Sequence, residues 1–184
     1  SPWEYDFIER GGIFVQAGVR GGIEKGESWH HQALREKKLN SSYDLVAIAQ
    51  DLSKRELSSP KRISAAGTSN GGLVVATAGL LAPESFGAIV SINGVLDFLK
   101  KDEFDSYYQG WAPEWIEIND ENMEVAKSMA PIEIAKNSLK QGSSMPLFFV
   151  VVGLNDNRVN PLHSLRFTFE MQRLSRNAES RNQF

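Results

Sequence analysis

The sequence predicts an α/β fold. Along its 184 residues, strand-like apolar runs alternate with segments of helical periodicity, the pattern of a mostly parallel sheet with helices on both faces. One of those runs ends in a serine set between glycines and passes directly into an apolar helix. The composition, 41% hydrophobic and 23% charged, is enough to bury one globular core and excludes global disorder.

The elements follow in order. Ile13 to Val19 reads as a strand, closed by the turn-rich Arg20-Gly21-Gly22-Ile23-Glu24-Lys25-Gly26. Ser41 or Ser42 caps a helix reaching about Leu57, because Leu45, Val46, Ile48, Ala49 and Leu52 recur at helical spacing. Ser58-Ser59-Pro60 stops it. A strand then leads from Arg62 to the serine, and a helix runs from Asn70 to about Leu81. After Pro83, Gly87 to Ile92 reads as a buried parallel strand. Residues 94–145 are less regular, with short helical pieces and acidic surface around Glu114 and Asp120 to Glu124. Met145 to Gly153 is the most hydrophobic strand and is predicted to be central. A helix from Pro161 to about Arg176 follows, with Leu165, Phe169 and Leu174 inward, and the tail from Asn177 to Phe184 is polar.

Net charge is −3, from 20 basic and 23 acidic residues, which leaves no electrostatic footprint for nucleic acid or an acidic membrane. A small or peptidic ligand is the better expectation. With no cysteine, disulfide stapling and thiol catalysis are excluded. No run approaches the roughly 18 apolar residues of a spanning helix, and Ser1-Pro2-Trp3-Glu4 does not open a signal peptide. The residues do not fix a compartment, although the cytoplasm is favoured.

Gly67-Thr68-Ser69-Asn70-Gly71 reads as a nucleophile elbow, a strained strand-to-helix turn that exposes a serine hydroxyl and demands small neighbours, here Gly67 and Gly71. A glycine turn that only packs helix on strand is the bland alternative. A phosphate loop fits less well, since Gly-x-Gly and Gly-Lys-Ser/Thr are both missing. A serine nucleophile needs a base and an orienting carboxylate. In α/β-hydrolases the order is Ser, acid, His, with the acid in a loop after a later strand. Asp156 occupies such a loop, where an aspartate also commonly forms a turn or caps a helix.

Four blocks make the chain resemble the prolyl oligopeptidase family of serine peptidases over nearly all its length. They are Arg20-Gly21-Gly22 through Trp29-His30; Lys38 through Tyr43-Asp44; Gly67 through Leu73; and Asp156-Asn157-Arg158-Val159 followed by Pro161-Leu162-His163-Ser164. The resemblance implies an α/β-hydrolase fold and makes Ser69 the nucleophile and Asp156 the acid. It also implies that the Asn70 N–H donates to the oxyanion and that Arg158 holds a substrate carbonyl. Trp111 and Trp115, with Val95 and Val159, match the pocket where prolyl-specific members stack proline. Core or interface aromatics are the alternative reading of the two tryptophans. The chain departs from the pattern by one inserted residue before Trp111, by tryptophan at 115 and by Asn157.

The base is not evident. His30 and His31 precede Ser69, and His30 falls on a family position that is not the base. His163 begins the helix after the acid loop, too early for the catalytic histidine of this fold. The expectation is therefore a partial catalytic domain over residues 1–184, incomplete at both ends, nearly inactive alone, with its histidine beyond Phe184. The first three strands, the second oxyanion donor and the propeller would be missing as well. Three arrangements would then be open: the Ile13–Val19 strand pairs directly with the elbow strand, another copy of the chain completes the sheet, or the chain is an excerpt.

The expected function is hydrolysis of short peptides after proline through an acyl-enzyme, with a peptide substrate and no cofactor or metal. His30 and His31 are adjacent and lack the i, i+4 spacing of a helical metal pair. The rivals are another oligopeptidase or esterase specificity, and a non-catalytic interaction module on the same scaffold.

Overall fold

The computed structural model describes residues 2–100, 114–140 and 144–181. Its elements are α1 (Pro2–Glu9), α2 (Glu27–His31), α3 (Leu39–Lys54), β1 (Ser64–Thr68), α4 (Asn70–Leu81), β2 (Ala88–Ile92), α5 (Met123–Met129), α6 (Pro131–Lys140), β3 (Leu147–Val151) and α7 (Leu162–Arg181). The three strands form one parallel sheet in the order β1-β2-β3. Parallel neighbours need a crossover between them, which α4 supplies for the first pair and α5 with α6 for the second.

Register decides which side chains meet the helices. Ala65, Ile89 and Phe148 are cross-strand partners, as are Gly67, Ser91 and Val150, and these rows face α4. That helix is buried around most of its surface, from Gly72 through Leu80, because α3, α6, α7 and the sheet pack around it. A helix apolar on all sides belongs inside a core. The other face of the sheet carries Ala66, Val90 and Phe149 in register, and Leu147, Phe149 and Val151 stand exposed there. Among the described residues, α3, α4, α6 and α7 share one face.

Several expectations are corrected. Ile13–Val19 lies outside the sheet, with Ile13, Phe14 and Val15 exposed, so it does not pair with β1. A strand needs a neighbour to hold its backbone groups, and β1 takes its partner from β2. The apolar run of β3 sits at the sheet edge, and β2 is central. Ser41 and Ser42 lie inside α3, where their hydroxyls donate to the Arg20 and Val74 carbonyls at 2.6 and 3.0 Å. That helix stops at Lys54, and Glu56 turns the chain at φ 58°. α7 runs on to Arg181 and buries Phe167 while Leu165 and Phe169 face outward. Leu174 packs inward as expected.

One ion pair secures the turn after residue 19. The Arg20 guanidinium donates to both Asp44 oxygens, at 2.6 Å from Nη2 to Oδ1 and 2.9 Å from Nε to Oδ2, and the Arg20 N–H adds a bond of 2.9 Å. The hydrogen bond from Arg20 chiefly holds the Asp44 carboxyl below its ordinary value of 3.8, against the opposing effect of burial. A depressed carboxyl contributes its full stabilisation above the unfolded value and loses it as pH falls through the folded one. Asp44→Asn should therefore cost about 1–2 kcal/mol at neutral pH, with the difference from wild type shrinking as pH falls below the ordinary carboxyl value of 3.8 and through the lower folded one. Urea denaturation across pH checks this, and a constant difference at every pH would contradict it.

Candidate active site

Three parallel strands deliver their C-terminal ends to one edge of the molecule, and each end carries a polar residue of the site. β1 meets α4 through the single residue Ser69, at φ 57° and ψ −119°. A non-glycine residue rarely adopts this backbone conformation, and its cost must be met by surrounding contacts. The Ser69 N–H donates to the Ile92 carbonyl at 2.9 Å, and the residue is exposed. The elbow geometry is thus present, with the serine exposed to solvent.

Two glycines make the bend fit. A Cβ on Gly67 would stand 2.5 Å from the Gly71 carbonyl carbon, and one on Gly72 would lie 2.8 Å from both Gly94 Cα and Ser91 Oγ. Gly71 itself faces open space, so the crowding expected there falls on Gly72 instead. Real Cβ atoms do not approach so closely, because packing at interior density leaves no slack.

Asn93, at the end of β2, is a position in the candidate site that sequence reading missed. Its backbone adopts φ 46°, its N–H donates to the Val151 carbonyl at 2.8 Å, and its Oδ1 accepts the Gly153 N–H at 2.8 Å. Asparagine tolerates this conformation better than most residues, and the Asn93-Gly94 pair after an apolar strand was the available signal. The side chain ties the end of β2 to the loop after β3.

Asp156 occupies that loop. Its N–H donates to the Gly153 carbonyl at 3.1 Å, and its Oδ1 accepts the N–H groups of Arg158 and Val159 at 2.8 and 3.0 Å. Both side-chain bonds fall on one oxygen, which orients the carboxylate. A continuous ladder thus runs from Ser69 through Ile92, Asn93, Val151 and Gly153 to Asp156. The structure brings the serine and the aspartate to the same end of the sheet.

The remaining candidates divide into two groups. Asn70 opens α4, where the first N–H groups of a helix have no intrahelical acceptor, and Arg158 is exposed beside Asp156. Val95, Trp115 and Val159 join one buried cluster with Leu73, Val74 and Phe98, and the Phe98 and Trp115 rings lie 5.2 Å apart. Trp111 lies outside the described residues.

Glu114, read from sequence as acidic surface, has a buried partner. Lys38, only 5% exposed, donates from Nζ to Glu114 Oε2 at 3.1 Å and lies 4.7 Å from the Trp115 ring centroid. The same Glu114 oxygen accepts from Asn70 Nδ2 at 3.5 Å. Burial pulls the Lys38 ammonium below its ordinary value, and Glu114 partly opposes that.

The histidines hold other positions. His30 Nδ1 lies 2.7 Å from the Gly21 carbonyl, to which it donates. His31 is exposed on α2, 3.9 Å from Glu27. His163 is fully buried in the first turn of α7, its Nδ1 accepting the Asp97 N–H at 3.2 Å. Among the described residues no group of three or more His, Asp or Glu could hold a metal ion, and no helix is long and apolar enough to cross a membrane. A concavity of about 470 Å³ lies at the opposite end of the strands, between Pro60, Pro83, Phe86 and Pro146, away from these groups.

Residues 1–183 match the model of the prolyl oligopeptidase family, and the chain belongs to that family. A dual function macrocyclase-peptidase of Galerina marginata is 35% identical over 175 residues, 94% of this chain and 23% of that protein. A prolyl endopeptidase of Elizabethkingia miricola is 32% identical over 168 residues, 90% of this chain and 23% of that one. The solved structure of apo prolyl oligopeptidase B from Galerina marginata superposes with a TM-score of 0.85 at 34% identity, covering 95% of this chain and 24% of that chain. The fold is that of the α/β-hydrolases, and the chain spans about a quarter of the length of these relatives.

Asn93→Ala should cost about 1–3 kcal/mol by removing the bond to Gly153 and placing alanine at positive φ. Asn93→Gly relieves the second effect alone and should recover about 1 kcal/mol of that loss. Chemical denaturation of the pair checks both, and equal stabilities would count against the strain.

Proposed function

We propose that the protein carrying this chain is a serine peptidase that hydrolyses short peptides after proline through an acyl-enzyme on Ser69. One observation carries the reading. Ser69 is exposed on a strained bend at the sheet end that also presents Asp156, and membership of the prolyl oligopeptidase family supports reading that arrangement as one for acyl transfer.

A histidine oriented by Asp156 takes the Ser69 proton as Oγ attacks the substrate carbonyl. The Asn70 N–H meets the oxygen that becomes negative, where a fixed donor stabilises charge without reorganising. The imidazolium then protonates the departing amine, and water attacks the ester to release the acid and restore Ser69. Arg158 holds a substrate carbonyl. Trp115, Val95 and Val159 give the proline ring an apolar floor, since a pyrrolidine side chain brings no donor to satisfy, and the part of Trp111 in stacking rests on the family resemblance alone.

His30, His31 and His163 are placed for other tasks, so the base comes from outside them and residues 1–184 alone turn over poorly. The relative named a macrocyclase-peptidase favours a second fate for the same ester: attack by the peptide's own amine, giving a cyclic product lighter by one water.

On the full-length protein, Ser69→Ala should lower hydrolysis of a prolyl amide by at least about 10³-fold and abolish labelling by a serine-directed phosphonate. Asp156→Asn should cost about 10²–10⁴-fold in kcat with the fold retained. Turnover that survives Ser69→Ala overturns the proposal, and product mass separates hydrolysis from cyclisation.

A further inference from the structure

The cluster of Lys38, Glu114, Trp115 and Asn70 is built from three separate stretches of chain, and the mechanism above does not use Lys38. Its ammonium is almost wholly shielded from water, whereas Glu114 remains 38% exposed. Removing an ammonium from water is expensive, and replacing a buried ion pair with apolar side chains of similar volume is often neutral or stabilising. A methionine would fill the same space. Stability alone therefore does not account for a charge here.

An ammonium supplies direction, which an apolar chain does not. From one point it holds a carboxylate at 3.1 Å and lies over an aromatic ring at 4.7 Å, and both contacts strengthen where water is excluded. Through Glu114 the grip extends to Asn70, the residue after the proposed nucleophile. Through Trp115 it extends to the cluster containing Phe98, Val95 and Val159. Lys38 thus connects the elbow to the apolar floor.

We propose that Lys38 is a positioning residue whose buried ammonium fixes Glu114 and the Trp115 ring, and so sets the preference for proline at the cleaved bond. This rests on the peptidase reading above. Lys38 does not touch the reacting atoms. It acts by holding the Trp115 floor of the slot at one height, so that a flat ring packs on it and a smaller side chain gains less.

The test compares full-length wild type with Lys38→Met, Lys38→Arg and Glu114→Gln on matched prolyl and alanyl amides. Lys38→Met should lower the prolyl-over-alanyl ratio of kcat/KM by about tenfold, mainly through KM for the prolyl substrate, without loss of Tm. Lys38→Arg retains a cation able to pair with the carboxylate and lie on the ring, and should keep the ratio within about threefold of wild type. Glu114→Gln should lower it by about threefold. A Lys38→Met protein that discriminates within about twofold of wild type overturns the inference. So does a loss of discrimination that simply follows a fall in Tm and is not restored by arginine. If Lys38→Met does not fold, unchanged discrimination in Glu114→Gln overturns it. Wild-type hydrolysis indifferent to Ser69→Ala would sink the peptidase reading and this inference with it, before Lys38 is altered.

Discussion

The hydrogen bonds joining the C-terminal ends of the three strands are the constraint on which the site depends. Ser69 donates to Ile92, Asn93 to Val151, and Gly153 to the Asn93 side chain. The first two bonds continue the parallel ladder and the third ties on the loop after it, so the positions of a serine and an aspartate 87 residues apart in sequence (156 − 69) follow from sheet register. Local turn chemistry then completes the work. Gly67 and Gly72 let β1 and α4 meet at close range, and Asp156 is oriented by the two N–H groups that follow it in the chain.

What could be read in advance was what lies close together in sequence. The helix after Ser69 occupies Asn70–Leu81 as its largely apolar composition predicts, and the elbow glycines announce a bend that few other residues permit. The failures have physical causes. The run Met145 to Gly153 reads as a central strand because it is the most hydrophobic, yet β3 lies at the sheet edge with Leu147, Phe149 and Val151 turned outward. In α7, Leu162, Leu165 and Phe169 form one helical stripe and Phe167, Met171 and Leu174 another. Periodicity supports both, and packing against α6 and β3 selects the second. Ser41 and Ser42 resemble caps locally and serve instead as donors to carbonyls far along the chain. Lys38 and Glu114 are 76 positions apart, and nothing in a single sequence pairs two charges over that distance.

The site is assembled at a boundary between two environments. On one side the strand ends and loops present polar backbone to solvent. On the other, Leu73, Val74, Phe98 and Trp115 close an apolar cluster under the first turns of α4. A buried cation at that boundary connects the two, and Asn70 Oδ1 is a buried oxygen without a hydrogen-bond partner among the described residues. Such an atom is costly in a low-dielectric setting, which sharpens the dependence of the helix start on its neighbours.

The backbone at Ser69 also sets stability against activity. Any L side chain at φ 57° carries a conformational cost that glycine would not, so selection for thermal resistance alone would drift toward glycine at the residue the proposed chemistry needs. A hardened variant found without an activity screen would be expected to lose its proposed nucleophile first, and the extra stability of such a glycine form would measure how much conformational energy the fold commits to keeping a serine at this bend.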